Sequence, residues 1–376
     1  MCQIAGVRRA LLVVLLALGA PATAGATIPF VAHPSAPRYG SQVTLSGTAA
    51  PGDVVELFYN GDSTGQTANA DSTTGEFGFA FPAIQPGAYH VETAGDVSDP
   101  VDLKLKPILT KRVAGLRYPG NRLVLKGRLR PASAGSLTLK VGARHWHVHV
   151  KHGGHYTAAL PTDRLGRHRA RLILGPHAGY KSFTARKHYR ILAPALSTGA
   201  HGRAVLALER RLATLRHIVR GGPNGYYAYD TYEAALAFQK VHGMARTGRV
   251  SRDVWRVLAR AKVPKARVPK GNHVEVSKTL QVLYEVRKGK VRRITHVSTG
   301  ATGNTPVGKF HVYGKVPGLN GSGMYYSLFF TGAFAIHGYH SVPAYQASHG
   351  CVRTPMWFAP GFYDRWAVGT TVYIFA

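Results

Sequence analysis

Long apolar segments are almost missing from this chain. The clearest one, Leu11–Leu18, is shorter than the roughly 20 residues that a membrane-spanning helix needs, and no later segment could cross a bilayer. It follows Arg8 and Arg9 and precedes the small residues Ala22–Ala24, which is the order of a secretory signal peptide. The sequence therefore predicts a signal peptide over residues 1–24 and export to the periplasm, the cell wall or the medium, with an uncleaved anchor as the alternative.

Acidic residues are scarce as well. The chain has 17 Asp and Glu against 48 Lys and Arg, a formal net charge of +31. Such a charge implies polyanionic surroundings. Because export argues against nucleic acid, we expect no specific nucleic acid partner, and anionic wall polymers or acidic lipid surfaces fit better. A solvated basic surface without a specific partner is the alternative.

Cysteine is the third scarcity. Cys2 leaves with the signal peptide, so Cys351 is the only thiol of the mature chain. Exported proteins usually pair their cysteines or avoid them. A lone thiol in Ser348-His349-Gly350-Cys351, two residues after a histidine, therefore favours a nucleophile over a packing residue.

Two β-rich segments repeat with a period of about 79 residues, the first opening at Tyr39 and the second at Tyr118. Short alternating runs such as Val43/Leu45 and Leu123/Leu125, broken by turn residues, are typical of small antiparallel sandwiches. We expect two such domains, over 27–103 and 104–192, which resemble bacterial immunoglobulin-like modules.

The second repeat also carries a histidine cluster. His145, His147 and His149 would point to one face of a strand. A metal patch is conceivable there, but no carboxylate or cysteine joins the cluster, which favours a solvated basic sheet face.

Residues 194–262 have helical periodicity. Val205, Leu208, Leu212 and Leu215 share one face. Asp230 and Glu233 have the spacing of a capping box, and Ser251 is placed to cap a third helix. The run Asp230–Gln239, followed by Gly243 and Gly248, resembles the three-helix peptidoglycan-binding domain. A helical spacer that only packs is the alternative.

A Pro- and Lys-rich linker over 263–271 precedes a β-rich domain over 272–376. The fold class expected for the whole chain is multidomain and mainly β, with one small helical domain.

The chemistry of the last domain centres on Cys351, whose thiol needs a base to become a nucleophilic thiolate. His337 in Ile336-His337-Gly338 is the favoured base, with the Gly338 carbonyl fixing the ring tautomer. Backbone N–H groups of Gly350 and Cys351 are candidates for an oxyanion hole. Arg353 is a candidate ligand for a substrate carboxylate, or equally an ordinary exposed arginine.

Three motifs in order, Thr305–Phe310, Ala335–Gly338 and Ser348–Arg353, resemble the L,D-transpeptidase catalytic domain. The resemblance implies a thiolate at Cys351, a base at His337, assistance from His349, and a turn shaped by Ser348 and Gly350. It implies no cofactor and no metal.

The implied substrates are peptidoglycan stem peptides, as donor and as acceptor. The enzyme would attack the amide between a third-position diamino acid and the terminal D-alanine, and would be acylated by carbapenems. Among the aromatic residues, Tyr326 and Tyr339 are candidates for the substrate trough.

Three alternatives stay open. The acyl-enzyme could be resolved by water, which would make the protein an L,D-carboxypeptidase. A zinc peptidase could use His337, His340, His349 and Cys351, although no glutamate base lies near them in the sequence. A non-catalytic wall-binding scaffold is the third.

Overall fold

The computed structural model describes residues 27–376, so the predicted signal peptide over 1–24 lies outside the described residues. The chain divides into two compact units. Among the described residues, the first comprises 27–108 together with Pro176–Lys181, and the second comprises Leu109–Gly175 and Ser182–Ala376. No helix among the described residues is long and apolar enough to cross a membrane.

The first unit is a sandwich of two sheets. One sheet has the strand order β1-β2-β5 and the other β4-β3-β6-β7. The strands are β1 (Phe30–His33), β2 (Gln42–Thr48), β3 (Val54–Tyr59), β4 (Asp62–Asn69), β5 (Glu76–Pro82), β6 (Gly87–Glu92) and β7 (Val101–Leu103). The predicted alternation of apolar and polar residues along β2 determines which face of its sheet is buried. Val43 and Leu45 pack with Leu57 and Val91 of the other sheet in one core.

The second unit begins with a sandwich of the same design. Its sheets have the orders β13-β10-β8, with β9 also on β10, and β12-β11-β14-β15. The strands are β8 (Ile108–Leu109), β9 (Arg112–Gly115), β10 (Leu123–Arg130), β11 (Leu137–Val141), β12 (Arg144–Val148), β13 (His155–Ala159), β14 (Gly166–Leu174) and β15 (Phe183–Ile191).

Three helices follow: α1 (Arg203–Thr214), α2 (Tyr229–Val241) and α3 (Arg252–Arg260). The predicted apolar face of α1 packs around Phe238 and Trp255. The predicted cap of α3 is confirmed, because Ser251 accepts hydrogen bonds from the N–H groups of Asp253 and Val254.

The predicted capping box of α2 is wrong. The helix begins at Tyr229, and Ala228 at its N-cap position makes no side-chain cap. The Asp230 carboxylate instead accepts the N–H of Arg220, 2.8 Å away. Glu233 is buried and accepts a hydrogen bond from the indole N–H of Trp357. Both acids are thus used by tertiary contacts that local spacing does not reveal.

The last domain packs two sheets around one apolar core. The sheets have the orders β18-β17-β16-β24-β19 and β20-β21-β22-β23. Their elements are β16 (His273–Ser277), β17 (Val282–Arg287), β18 (Lys290–His296), β19 (Gly308–His311), β20 (Gly314–Leu319), β21 (Tyr325–Thr331), β22 (Phe334–Tyr339), β23 (Val352–Pro355), α4 (Ala359–Arg365) and β24 (Thr371–Phe375). The mainly β fold class is confirmed.

Glu285 anchors the end of α4 to β17. Its buried carboxylate accepts hydrogen bonds from Arg365 Nε at 2.9 Å, from Arg365 Nη2 at 2.7 Å and from the Trp366 indole at 2.9 Å. Removing it leaves the guanidinium and the indole without their acceptor. We expect Glu285→Ala to lower the free energy of unfolding by about 3–5 kcal/mol in denaturant titrations. Asp364→Ala, exposed on the same helix, should change it by less than about 0.5 kcal/mol; equal effects would contradict this account.

Candidate active site

The parallel pairing of β22 with β23 brings the predicted base and nucleophile into one cavity. Ile336 pairs with Val352 and His337 with Arg353, so Cys351 lies immediately before the strand that runs beside the one carrying His337. The cavity is about 440 Å³ in volume. Its lining comprises Asn320, Ser322, Met324, Phe329, Ala333, His337, Tyr339, Ser348, His349, Cys351 and Arg353.

The His337 ring is held in one orientation. Its side chain is buried, and Nδ1 lies 2.9 Å from the carbonyl oxygen of Gly338. Because a carbonyl oxygen only accepts, Nδ1 carries the proton and Nε2 is left as a proton acceptor. Burial, and to a lesser degree the charge of Arg353, lowers the pKa of His337, while the bond to Gly338 opposes the shift. The ring is therefore a neutral base at neutral pH.

The Cys351 sulfur lies against the main chain of β22. The N–H of Ala335 points at Sγ from 3.5 Å, and the carbonyl oxygen of Ala333 is 3.7 Å from Sγ. Burial raises the pKa of the thiol, and the Ala335 N–H and the Arg353 charge partly offset that rise. Both shifts favour the neutral form, an uncharged thiol on Cys351 and an uncharged imidazole on His337.

The turn before the nucleophile is fixed by side chains on three sides. Ser348 Oγ donates to the Cys351 carbonyl at 2.6 Å and accepts the Gly350 N–H at 3.0 Å. Thr305 Oγ1 donates to the Gly350 carbonyl at 2.7 Å, and Asn304 donates to the His349 carbonyl at 2.8 Å. The roles of Asn304 and Thr305 were not foreseen, although Thr305 opens the first of the three sequence motifs.

Glycine is required at position 350. Its φ is +131°, and a Cβ added there would lie 2.1 Å from the Phe334 ring. The Gly350 N–H already donates to Ser348, so an oxyanion would have to displace that hydroxyl. The Cys351 N–H is then the stronger of the two predicted oxyanion donors.

The predicted substrate-binding residues separate into two groups. Arg353 and Tyr339 both line the cavity, with the guanidinium carbon 4.1 Å from the centre of the Tyr339 ring. Tyr326 is missing from the described residues that line the cavity, because its ring packs on Tyr363 of α4. His349 lines the cavity with an exposed side chain.

The turn between β20 and β21 was missed as part of the site. Asn320, Ser322 and Met324 line the cavity, and the Asn320 side chain accepts the N–H groups of the other two residues. A signal was present, because Asn320-Gly321-Ser322-Gly323 between two apolar runs is typical of a hairpin turn. Within residues 27–376, no group of three His, Cys, Asp or Glu side chains is placed to hold a metal ion.

The resting protonation states predict the pH dependence of thiol alkylation. Because the folded pKa of Cys351 is raised, the iodoacetamide rate should reach its midpoint above the ordinary pKa of a cysteine. Arg353→Gln removes a charge that favours the thiolate, so the rate at pH 8 should fall, by no more than about fivefold for a partly exposed pair. Arg292→Gln, on the exposed side of β18, should change nothing. A midpoint below the ordinary value would instead indicate a resting thiolate–imidazolium pair.

Comparison with known proteins agrees with this geometry. Residues 271–374 match the model of the L,D-transpeptidase catalytic domain, and residues 201–258 match a putative peptidoglycan-binding domain. A search of curated proteins finds no match.

Solved structures give further matches. An L,D-transpeptidase from Xylanimonas cellulosilytica is 33% identical, with 49% of this chain and 99% of that one covered, at a TM-score of 0.47. An L,D-transpeptidase from Stackebrandtia nassauensis is 23% identical, with 48% and 95% covered, at a TM-score of 0.31. The three motifs in order, the family model over residues 271–374 and the 33% sequence identity to the solved segment (residues 123–326) of the Xylanimonas cellulosilytica protein show that this chain belongs to the L,D-transpeptidase family, the acyltransferases that cross-link peptidoglycan.

Proposed function

We propose that this protein is an exported L,D-transpeptidase in which Cys351 is the nucleophile and His337 its general base. The observation that carries the proposal is the shared cavity. His337, whose Nδ1 donates to the Gly338 carbonyl, and Cys351, immediately before the neighbouring strand, line one cavity together. The expected location is the periplasm, the cell wall or the medium, as the signal-like segment over 1–24 indicates.

Acylation begins when His337 Nε2 accepts the thiol proton. Cys351 Sγ attacks the carbonyl carbon between the third-position diamino acid and the terminal D-alanine of a donor stem. The oxyanion that forms is stabilised by the Cys351 N–H. The C–N bond then breaks, His337 returns the proton to the departing amine, and a thioester to Cys351 remains.

Deacylation runs the same steps in reverse with a new amine. The side-chain amine of an acceptor stem attacks the thioester, His337 takes its proton, and the thiol leaves as the new amide forms. Arg353, on the cavity wall with Tyr339, is suited to hold a substrate carboxylate through its fork of donors. If water attacks instead, the product is a tripeptide, and the enzyme is an L,D-carboxypeptidase.

Acylation by a carbapenem tests the nucleophile and the base together. Intact-mass spectrometry should show one adduct on the wild-type chain and none on Cys351→Ala. His337→Ala should acylate at least about 10²-fold more slowly, the lower range for loss of a general base. His311→Ala removes an exposed histidine of the same domain and should acylate at the wild-type rate. An adduct on Cys351→Ala would overturn the assignment.

A second measurement distinguishes transfer to an acceptor stem from hydrolysis by water. Purified protein incubated with donor tetrapeptide and acceptor stems should release D-alanine and form a cross-linked dimer, both detected by liquid chromatography and mass spectrometry. Tripeptide with no dimer would establish the carboxypeptidase instead. The non-catalytic scaffold would remain as the function if two results coincide. Wall fragments would bind equally well to wild type and Cys351→Ala, and no D-alanine would be released.

A further inference from the structure

The outer face of the sheet β12-β11-β14-β15 in the second sandwich is basic, and its described strand positions carry no acidic side chain. Side chains alternate along each strand, and those opposite the buried Leu139, Leu172 and Tyr189 point outward. They form cross-strand rows set by the strand registers. The outward charged and histidine side chains are Lys140, His145, His147, Arg167, Arg169, Arg171, Arg186, His188 and Arg190.

Like charges face one another across the strands of this sheet. Lys140 pairs with Arg171, Arg171 with Arg186, and Arg167 with Arg190. Such pairs destabilise a sheet by a few tenths of a kcal/mol or more each. Within residues 27–376, none of these cations forms an ion pair.

The fold itself does not require these charges. The first sandwich has a sheet of equivalent strand order, β4-β3-β6-β7. Its outward residues include Glu56, Glu92 and Asp102. The same topology is therefore built with acidic residues in one copy and with arginines in the other, so the basic face has a cause other than folding.

The face lacks the features of two other ligand classes. A metal site is unsupported, because no group of three ligating side chains is found in the described chain. Single-stranded nucleic acid is bound by base stacking on aromatic side chains. The described outward positions of this sheet carry no Phe, Tyr or Trp, because Phe183, Tyr189 and Trp146 alternate onto the opposite face, where Trp146 is 37% exposed on the edge strand β12.

We propose that this face binds a linear anionic wall polymer with phosphodiesters along its backbone. Rows of cations repeat about every 6.8 Å along the strands and about every 4.8 Å across them, so an extended polyanion can meet several at once. Arginine is the side chain that binds phosphate bidentately. The choice of a wall polymer rests on the proposed function, which places the chain where peptidoglycan is cross-linked.

Binding of fluorescently labelled poly(glycerol phosphate) to the full mature chain tests the proposal. Arg169→Gln/Arg171→Gln/Arg186→Gln should weaken binding at least tenfold at 0.1 M salt, and should lower the slope of log K against log salt by about 2–3. The matched variant Arg260→Gln/Arg292→Gln/Arg293→Gln has the same charge, its three exposed arginines lying outside this sheet, and should bind like wild type. Uncharged dextran should not bind.

Three results would contradict the proposal that this face binds the polymer. They are equal weakening in both triple variants, tighter binding to anionic lipid vesicles than to the polymer, or tighter binding to an oligothymidine of equal phosphate content. Carbapenem acylation of the same samples reports separately on the catalytic proposal. If the Arg169/Arg171/Arg186 variant is acylated normally but no longer binds the polymer, the binding proposal is supported. If the wild-type chain binds the polymer but is never acylated, the catalytic proposal is refuted and the binding proposal is unaffected.

A second inference, independent of the first, concerns Lys240 of α2. Its side chain is 1% exposed, and Nζ donates to the carbonyl oxygens of Gln281 at 3.0 Å and Val297 at 2.9 Å. Both acceptors belong to the catalytic domain. Burial lowers the pKa of Lys240 to about 7, and the amine can donate both hydrogen bonds with or without its charge. A side chain of the helical domain thus fixes two main-chain carbonyls of the catalytic domain.

From these carbonyls, hydrogen bonds continue to the nucleophile. The Gln281 amide accepts the Thr299 N–H at 2.8 Å and donates to Thr299 Oγ1 at 2.6 Å. The Thr299 carbonyl accepts the N–H groups of Ala347 at 2.9 Å and Ser348 at 3.0 Å. Ser348 then closes the turn on the Cys351 carbonyl.

We infer that Lys240 is a positioning residue for the Ser348–Cys351 turn, acting through Gln281 and Thr299. It touches neither substrate nor sulfur. Its effect is to fix where the turn lies, and a misplacement of about 1 Å in a reacting group can cost about 10²-fold in rate.

The test uses Lys240→Met, which keeps the length of the side chain and removes its donors. The limiting acylation rate at saturating carbapenem should fall about 10- to 100-fold, while the half-saturating concentration changes less than twofold. Gln281→Ala should lower the limiting acylation rate by a similar factor. The double variant should be little slower than either single variant, because both substitutions interrupt the same series of hydrogen bonds.

Glu285→Ala separates positioning from plain destabilisation, since it weakens the same domain through contacts with α4. Under conditions where it is folded, it should acylate at the wild-type rate. The inference fails if folded Lys240→Met acylates within threefold of wild type. It also fails if the rate losses of Lys240→Met and Gln281→Ala multiply.

Discussion

The hydrogen bond from His337 Nδ1 to the Gly338 carbonyl is the contact on which the site depends. The ring proton on Nδ1 is donated to the carbonyl oxygen of the next residue. Nε2 is therefore left free to accept a proton, and no carboxylate is needed to orient the ring. This suits a chain poor in acids: within the described residues of this domain, Glu275, Glu285 and Asp364 are used elsewhere or exposed. A main-chain carbonyl that orients the ring neither titrates nor disappears when a side chain is substituted. The Gly338 carbonyl is held in place because β22 pairs with a strand on each side.

Burial around this contact has two opposite effects. It keeps His337 neutral and therefore basic, but it also disfavours the thiolate that His337 must generate. Arg353 favours the thiolate and opposes the imidazolium, and it does both from the position paired with His337. For the proposed pair of Cys351 and His337, these shifts favour a proton that moves during reaction over a resting thiolate and imidazolium.

Sequence reasoning worked where chemistry or periodicity was local. The alternation at Val43 and Leu45 and the cap at Ser251 depend on neighbours in the chain, and the structure contains both. The order of three motifs sufficed to pair Cys351 with His337. Reasoning failed where a side chain is used at long range: Asp230 and Glu233 have the spacing of a capping box but serve Arg220 and Trp357.

Tyr326 and Lys240 illustrate the same limit. Tyr326 was chosen as a substrate residue by its side-chain type, yet its ring packs on Tyr363 of α4. The lysine lies on a helix in a basic chain, where exposure is the normal expectation. Only the packing of α2 on the catalytic domain explains its burial.

Gly350 limits how the proposed site could change under selection by an inhibitor that attacks Cys351. One route of escape would be to add bulk beside the attacked residue. At position 350 that route is closed, because even one added carbon would overlap the Phe334 ring and the backbone angle would be unfavourable. For the proposed nucleophile, variation is then left to other parts of the cavity lining, such as the partly exposed turn Asn320–Met324.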